Sequence, residues 1–213
     1  MGKQARTSRR LSARAESQRR ETAPNRRVRL GVVAVAVGIL AVGLAAGAMA
    51  FAGTFTTSSS SSLPQGIQTF VESDHDHVAG PVSYDRVPPV GGAHNAVVLN
   101  CGVYSQPVPN ENAVHSLEHG AVWITYRPTL PPDQVALLQQ FVKSHYVGAE
   151  RYLILSPYSG IPSPIVASAW GAQLGVDLAS DSRLADFIHR FAGGGQGGEQ
   201  GAACTGGVGS PVG

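Results

Sequence analysis

No charged side chain occurs between residues 30 and 52, and Val, Ala, Leu and Gly fill most of those positions. At 1.5 Å per residue such a stretch crosses a hydrocarbon core of roughly 30 Å, so the pattern predicts one transmembrane helix. Beyond it the apolar positions become short and periodic. Residues 96–103 are an apolar run around Asn100 and Cys101 and read as a buried strand. Asn110 is placed to cap a short helix running to His119, with Gly120 closing it. Residues 121–126, rich in β-branched and aromatic side chains, predict a strand. Pro131 and Pro132 open a helix with the stripe Val135, Leu138, Phe141 and Val142. Residues 152–155 and 165–170 predict two further strands, and Asp181 begins a last helix bearing Leu184, Phe187, Ile188 and Phe191. Strands alternating with short helices predict an α/β (α+β) compact sandwich: one small sheet, about three helices, and the transmembrane helix before them.

Composition divides the chain at the apolar stretch. The whole carries a net charge of +2. Residues 1–29 hold ten Lys or Arg against two Glu, +8, and the remainder holds six against twelve, −6. The segment 1–29 reads as a disordered basic tail that stays in the cytoplasm by the positive-inside rule and faces anionic lipid headgroups. The acidic remainder removes the case for nucleic acid as a partner. Ala48-Met49-Ala50 also satisfies a signal-peptidase site. The apolar stretch is longer than a signal-peptide core and the leader is unusually long, so the membrane-anchored reading leads. The Ser/Thr-rich residues 53–66 form a linker, residues 67–204 one extracytoplasmic domain, and the Gly-rich residues 205–213 a disordered tail. The expected location is the cell membrane, crossed once, N-terminus inside.

In that compartment the only two cysteines, Cys101 and Cys204, are expected to form a disulfide. A thiolate metal ligand at Cys101 is the alternative. The segment His115-Ser116-Leu117-Glu118-His119 places two imidazoles one helical turn apart, with a carboxylate between them. This His-x-x-Glu-His order also occurs in inverted zinc peptidases, where the Glu is the base. Proteolysis is discounted here, because the remote Glu199 lies in a Gly-rich stretch ill suited to holding a ligand. Asp74-His75-Asp76-His77 and Pro88-Pro89-Val90-Gly91-Gly92-Ala93-His94 supply further imidazoles, the second held by a rigid turn. His75 is expected to be solvated. The candidate metal ligands are therefore His115, His119, His94, His77 and Glu118, and imidazole-rich sites suit copper or zinc. Met1 and Met49 lie outside the domain, which excludes a Met-rich Cu(I) carrier.

Several of these segments, in order, carry a resemblance. They are His77-Val-Ala-Gly-Pro-Val-Ser-Tyr84, Pro88-Pro-Val-Gly-Gly-Ala-His94-Asn95, Asn100-Cys-Gly-Val-Tyr104, Glu111-Asn-Ala-Val-His-Ser-Leu-Glu-His-Gly120 and Ser168-Ala-Trp-Gly171. Together they resemble the bacterial DUF3105 domain over about residues 67–204, with Val97-Val98-Leu99 a local departure. The resemblance implies an envelope protein of actinobacterial type behind one membrane segment, and it implies no activity. Three function classes stay open: a metal-binding envelope domain, a metal-dependent hydrolase with Glu118 as base, and a non-catalytic structural or partner-binding module.

Overall fold

The computed structural model describes residues 63–212. The expected transmembrane helix at 30–52 and the basic tail before it lie outside the described residues. Among the described residues, no helix is long and apolar enough to cross a membrane.

The strands are β1 (Gln68–Thr69), β2 (Gly102–Val103), β3 (Val122–Tyr126), β4 (Leu153–Pro157), β5 (Ile165–Ala169) and β6 (Ala172–Val176). The α-helices are α1 (Asn110–Glu118), α2 (Pro132–His145) and α3 (Arg183–Phe191). One mixed sheet results, in the order β1-β6-β5-β3-β4-β2. β3 and β4 run parallel because α2 carries the chain back over the sheet between them. β5 and β6 form an antiparallel hairpin turning at Trp170-Gly171, where Gly171 takes φ +65°.

Period-two alternation sorts the side chains to two faces. On β3 the Val122, Ile124 and Tyr126 side chains join Leu138 and Val142 of α2 and Leu184, Phe187 and Ile188 of α3 in one core. Trp123 points the other way, into a second core with Val114 and Leu117 of α1, Ile154, Trp170 and the two cysteines. With both faces covered, β3 is buried along its whole length. The sheet thus has α2 and α3 on one side and α1 with the long N-terminal arm on the other. Phe187 is fully buried, and Phe187→Ala is expected to cost about 3 to 5 kcal/mol in urea unfolding.

Several local expectations change. Of the run 96–103 only Gly102–Val103 pairs in the sheet; the preceding arm bonds to the chain's end instead, Asn100 donating its N–H to the Val208 carbonyl at 2.9 Å. Residues 205–212 are accordingly tied to the domain: Val208 donates to the Val98 carbonyl and Val212 to the Val103 carbonyl, at 2.9 and 2.7 Å. Glycine here permits close approach, since a Cβ on Gly207 would run into the Val98 carbonyl. Pro109, not Asn110, holds the cap position of α1. β6, broken by Gln173 and Gly175, carried too little apolar signal to be expected, although Ala172, Leu174 and Val176 are all buried.

Gly120 ends α1 at φ +97°, and a Cβ there would stand 2.6 Å from the Gly194 carbonyl oxygen. Gly193 returns the contact, donating its N–H to the Gly120 carbonyl at 2.8 Å. Gly120→Ala combines strained backbone with a clash, so it is expected to lower the unfolding free energy by about 1 to 3 kcal/mol. The denaturation midpoint should fall with the slope unchanged.

Candidate metal centre

Helix α1 is nine residues long, yet its last six are all buried, His115 and Glu118 among them. Ionisable side chains at that depth need partners. The partners come from two loops. The 74–78 arm pairs with residues 92–95: Val78 donates to the His94 carbonyl at 2.7 Å and His94 to the Asp76 carbonyl at 2.9 Å. This bridge sets His77 beside His94. Tyr84 steadies the same loop, its hydroxyl donating to the Ala93 carbonyl at 2.9 Å. Burial, chiefly, raises the Tyr84 pKa and keeps that donor protonated.

Three imidazoles are oriented in the same manner. The Nδ1 of His94 meets the Gly92 carbonyl at 2.9 Å, that of His115 the Asn95 carbonyl at 2.7 Å, and that of His119 the Ala203 carbonyl at 2.8 Å. A carbonyl only accepts, so each Nδ1 carries the hydrogen. In the neutral ring each Nε2 then presents a lone pair to the interior of the cluster, the tautomer that backbone carbonyls impose on metal-binding histidines. The ring centroids of His77, His94 and His115 lie 4.9 Å apart pairwise, and His115 and His119 are 4.6 Å apart. Burial pushes the His115 pKa below its usual value; the Asn95 bond opposes this, while His119, His94 and His77 add to the lowering. The neutral, ligating form is thereby favoured.

The Glu118 carboxylate closes the inner side. Its Oε2 lies 2.9 Å from His94 Nε2 and 3.9 Å from His77 Nε2, and its Oε1 contacts His75 Nδ1. The His94 approach is at hydrogen-bond distance but not in hydrogen-bond alignment, and both atoms are buried without a hydrogen-bond partner. Two such groups cost about 1 to 3 kcal/mol each when left unsatisfied, and a cation between them satisfies both. Ligand atoms at ~2.0 to 2.1 Å from zinc stand about 3.3 Å apart in a tetrahedron, close to the spacing seen. His77, His94, His115 and Glu118 form one group whose ligand atoms lie within 4.8 Å of one another.

His119 falls into an adjoining group with His115 and Glu199, also within 4.8 Å. The His119 Nε2 is 3.0 Å from Glu199 Oε2, and the His115 Nε2 is 3.9 Å from it. The five sequence candidates are therefore all brought together, divided over two groups that share His115. Two further residues belong here against expectation. His75 is not merely solvated: it contacts Glu118 and stacks on Trp170 with centroids 4.5 Å apart. The i, i+2 spacing of His75 and His77 on an extended arm was the available signal. Glu199, which its Gly-rich surroundings suggest is ill placed for a ligand, is held because residues 193–198 pack on α1; a Cβ on Gly197 would overlap the Glu118 backbone. Nothing in composition separates glycine used for close packing from glycine used for flexibility.

Cys101 and Cys204 form the expected disulfide, with Cα atoms 5.4 Å apart, so Cys101 offers no thiolate. His145 turns back to the Phe141 carbonyl of its own helix at 2.9 Å. The arrangement is a cluster of imidazoles and carboxylates able to hold a metal ion, built where a short buried helix, two N-terminal arms and a glycine-rich strap meet.

The family described as "Protein of unknown function (DUF3105)" matches residues 75–206, a span that contains every residue of the cluster. The chain belongs to the DUF3105 family. No curated protein and no solved structure matches it.

Proposed function

We propose that this protein is a membrane-anchored, extracytoplasmic domain that binds a transition-metal ion, copper or zinc, through His94, His115, His77 and Glu118. One observation carries the reading: the buried His94 Nε2 and Glu118 Oε2 face each other at 2.9 Å with no hydrogen-bond partner for either. Tautomers fixed by the carbonyls of Gly92 and Asn95 support it, since they leave the Nε2 atoms of His94 and His115 as lone-pair donors within one group of ligand atoms. Copper and zinc both suit a set of imidazoles and one carboxylate, and Cu(II) binds nitrogen sites most tightly among the common divalent ions. The anchor and its orientation rest on the apolar stretch 30–52 and the charge difference across it.

A hydrolase would need Glu118 free to take a proton from bound water. Its carboxylate is instead surrounded by His75, His77 and His94, which favours a ligand over a base. The test is the metal content of untagged protein, followed by titration with Zn(II) and Cu(II). At least one ion per chain and a metal-dependent rise in thermal midpoint are expected; at a free concentration 100 times Kd the stabilisation is about 2.7 kcal/mol. Protein that takes up neither ion would instead be a structural or partner-binding module.

A further inference from the structure

We infer that the cluster is a two-ion centre, with a second, outer metal position made by His115, His119 and Glu199. This rests on the proposed metal binding and extends it. A tetrahedral ion uses four ligands. The cluster presents six donors: the imidazoles of His77, His94, His115 and His119 and the carboxylates of Glu118 and Glu199. They fall into two groups, and only His115 belongs to both. Its Nδ1 is engaged by the Asn95 carbonyl, so the ring has one lone pair and ligates one ion at a time.

With a single ion bound, His115 completes the inner group; when both positions are filled, its one lone pair goes to the outer position, which divides the donors evenly. His77, His94 and Glu118 hold the inner ion; His115, His119 and Glu199 hold the outer one. Each ion then has three protein ligands, one of them a carboxylate that offsets part of its charge. His119 is oriented as His94 and His115 are: the Ala203 carbonyl fixes its tautomer and leaves Nε2 facing Glu199 at 3.0 Å. His115 and His119, one helical turn apart, are both buried, while the Glu199 side chain is 46% exposed. The outer position therefore opens to solvent on the side of the glycine-rich strap.

Cu(II) is the probe. Untagged full-length protein in detergent, loaded with excess Cu(II) and desalted, is expected to keep two copper ions per chain. Two Cu(II) ions in adjoining groups that share no bridging ligand interact through space, so the EPR spectrum should be dipole-broadened, with a half-field transition, while its integrated intensity still matches the copper content. Glu199→Gln, at an exposed position that nothing in the core depends on, is expected to keep one copper, with the unbroadened spectrum of an isolated ion and no half-field transition. One copper in the wild type would overturn the inference, leaving His119 and Glu199 an ordinary ion pair. So would two copper ions with the unbroadened spectrum of isolated ions, two ions retained by Glu199→Gln, or none retained by it. Wild type that binds no copper and no Zn(II) would refute the metal-binding proposal itself.

Discussion

Glu118→Gln is expected to abolish tight metal binding and, at the same time, to leave the metal-free protein at least as stable as wild type. Both effects come from one contact. In the structure the Glu118 Oε2 lies 2.9 Å from the His94 Nε2, and neither atom has a hydrogen-bond partner. A Gln side chain keeps the shape and places an NH2 group against that lone pair, while its carbonyl oxygen accepts from His75 Nδ1, the atom that Oε1 already contacts. One satisfied hydrogen bond contributes about 1 kcal/mol, which for a chain of this size raises the midpoint by roughly 2 to 4 °C. The anionic ligand is lost in the same substitution. Removing a group that merely orients a ligand costs 10- to 100-fold in affinity, so loss of the ligand itself should cost more than about 100-fold. Differential scanning calorimetry with and without Zn(II) reads both. A marked fall in the metal-free midpoint would show that the Glu118 charge stabilises the fold by pairing with protonated histidines, and the argument for a cation would lose its foundation.

Removing the disulfide is expected to have the largest effect on stability and a second effect on the outer half of the cluster. Cys101 and Cys204 are 103 residues apart in sequence, and closing a loop of that length restricts the unfolded chain by about 4 to 5 kcal/mol in the entropic account. The Cys101→Ser, Cys204→Ser double variant should therefore melt roughly 10 to 20 °C below wild type. The bond also fixes the strap. Cys101 donates its N–H to the Cys204 carbonyl at 2.8 Å, and the Tyr152 hydroxyl donates to the Ala202 carbonyl at 3.0 Å. The next carbonyl, Ala203, orients His119, and Glu199 lies five residues before the cysteine. Loosening this segment should release the outer position while the inner donors, borne by α1 and the two N-terminal arms, keep their places. Below its lowered midpoint the double variant is thus expected to retain one copper, with an unbroadened EPR spectrum. Equal loss of both ions would show that the strap supports the whole cluster.

Much of the frame was legible in the sequence because it rests on short-range physics. The stripe of α2 and that of α3, the β-branched run of β3 and the closing Gly120 each express a local rule, and each lies within a residue or two of where its pattern placed it. The candidate ligands were legible for a similar reason: the i, i+4 spacing in α1 and the rigid turn before His94 are statements about neighbouring residues. Two cysteines leave one intramolecular pairing, and that pairing is present.

What the tertiary structure alone decided is how those parts meet. Sheet order, with β3 between β4 and β5, follows from burying two faces at once, and no window of sequence carries that condition. The division of the imidazoles into two groups sharing His115 depends on three backbone carbonyls, at Gly92, Asn95 and Ala203; their identity as hydrogen-bond partners is set by chain path and not by residue type. Glu199 shows the limit most plainly. A run of glycines has the same composition whether it is loose or pressed against a helix, and only contact with α1, where a side chain on Gly197 would collide with Glu118, makes it the rigid support of a carboxylate.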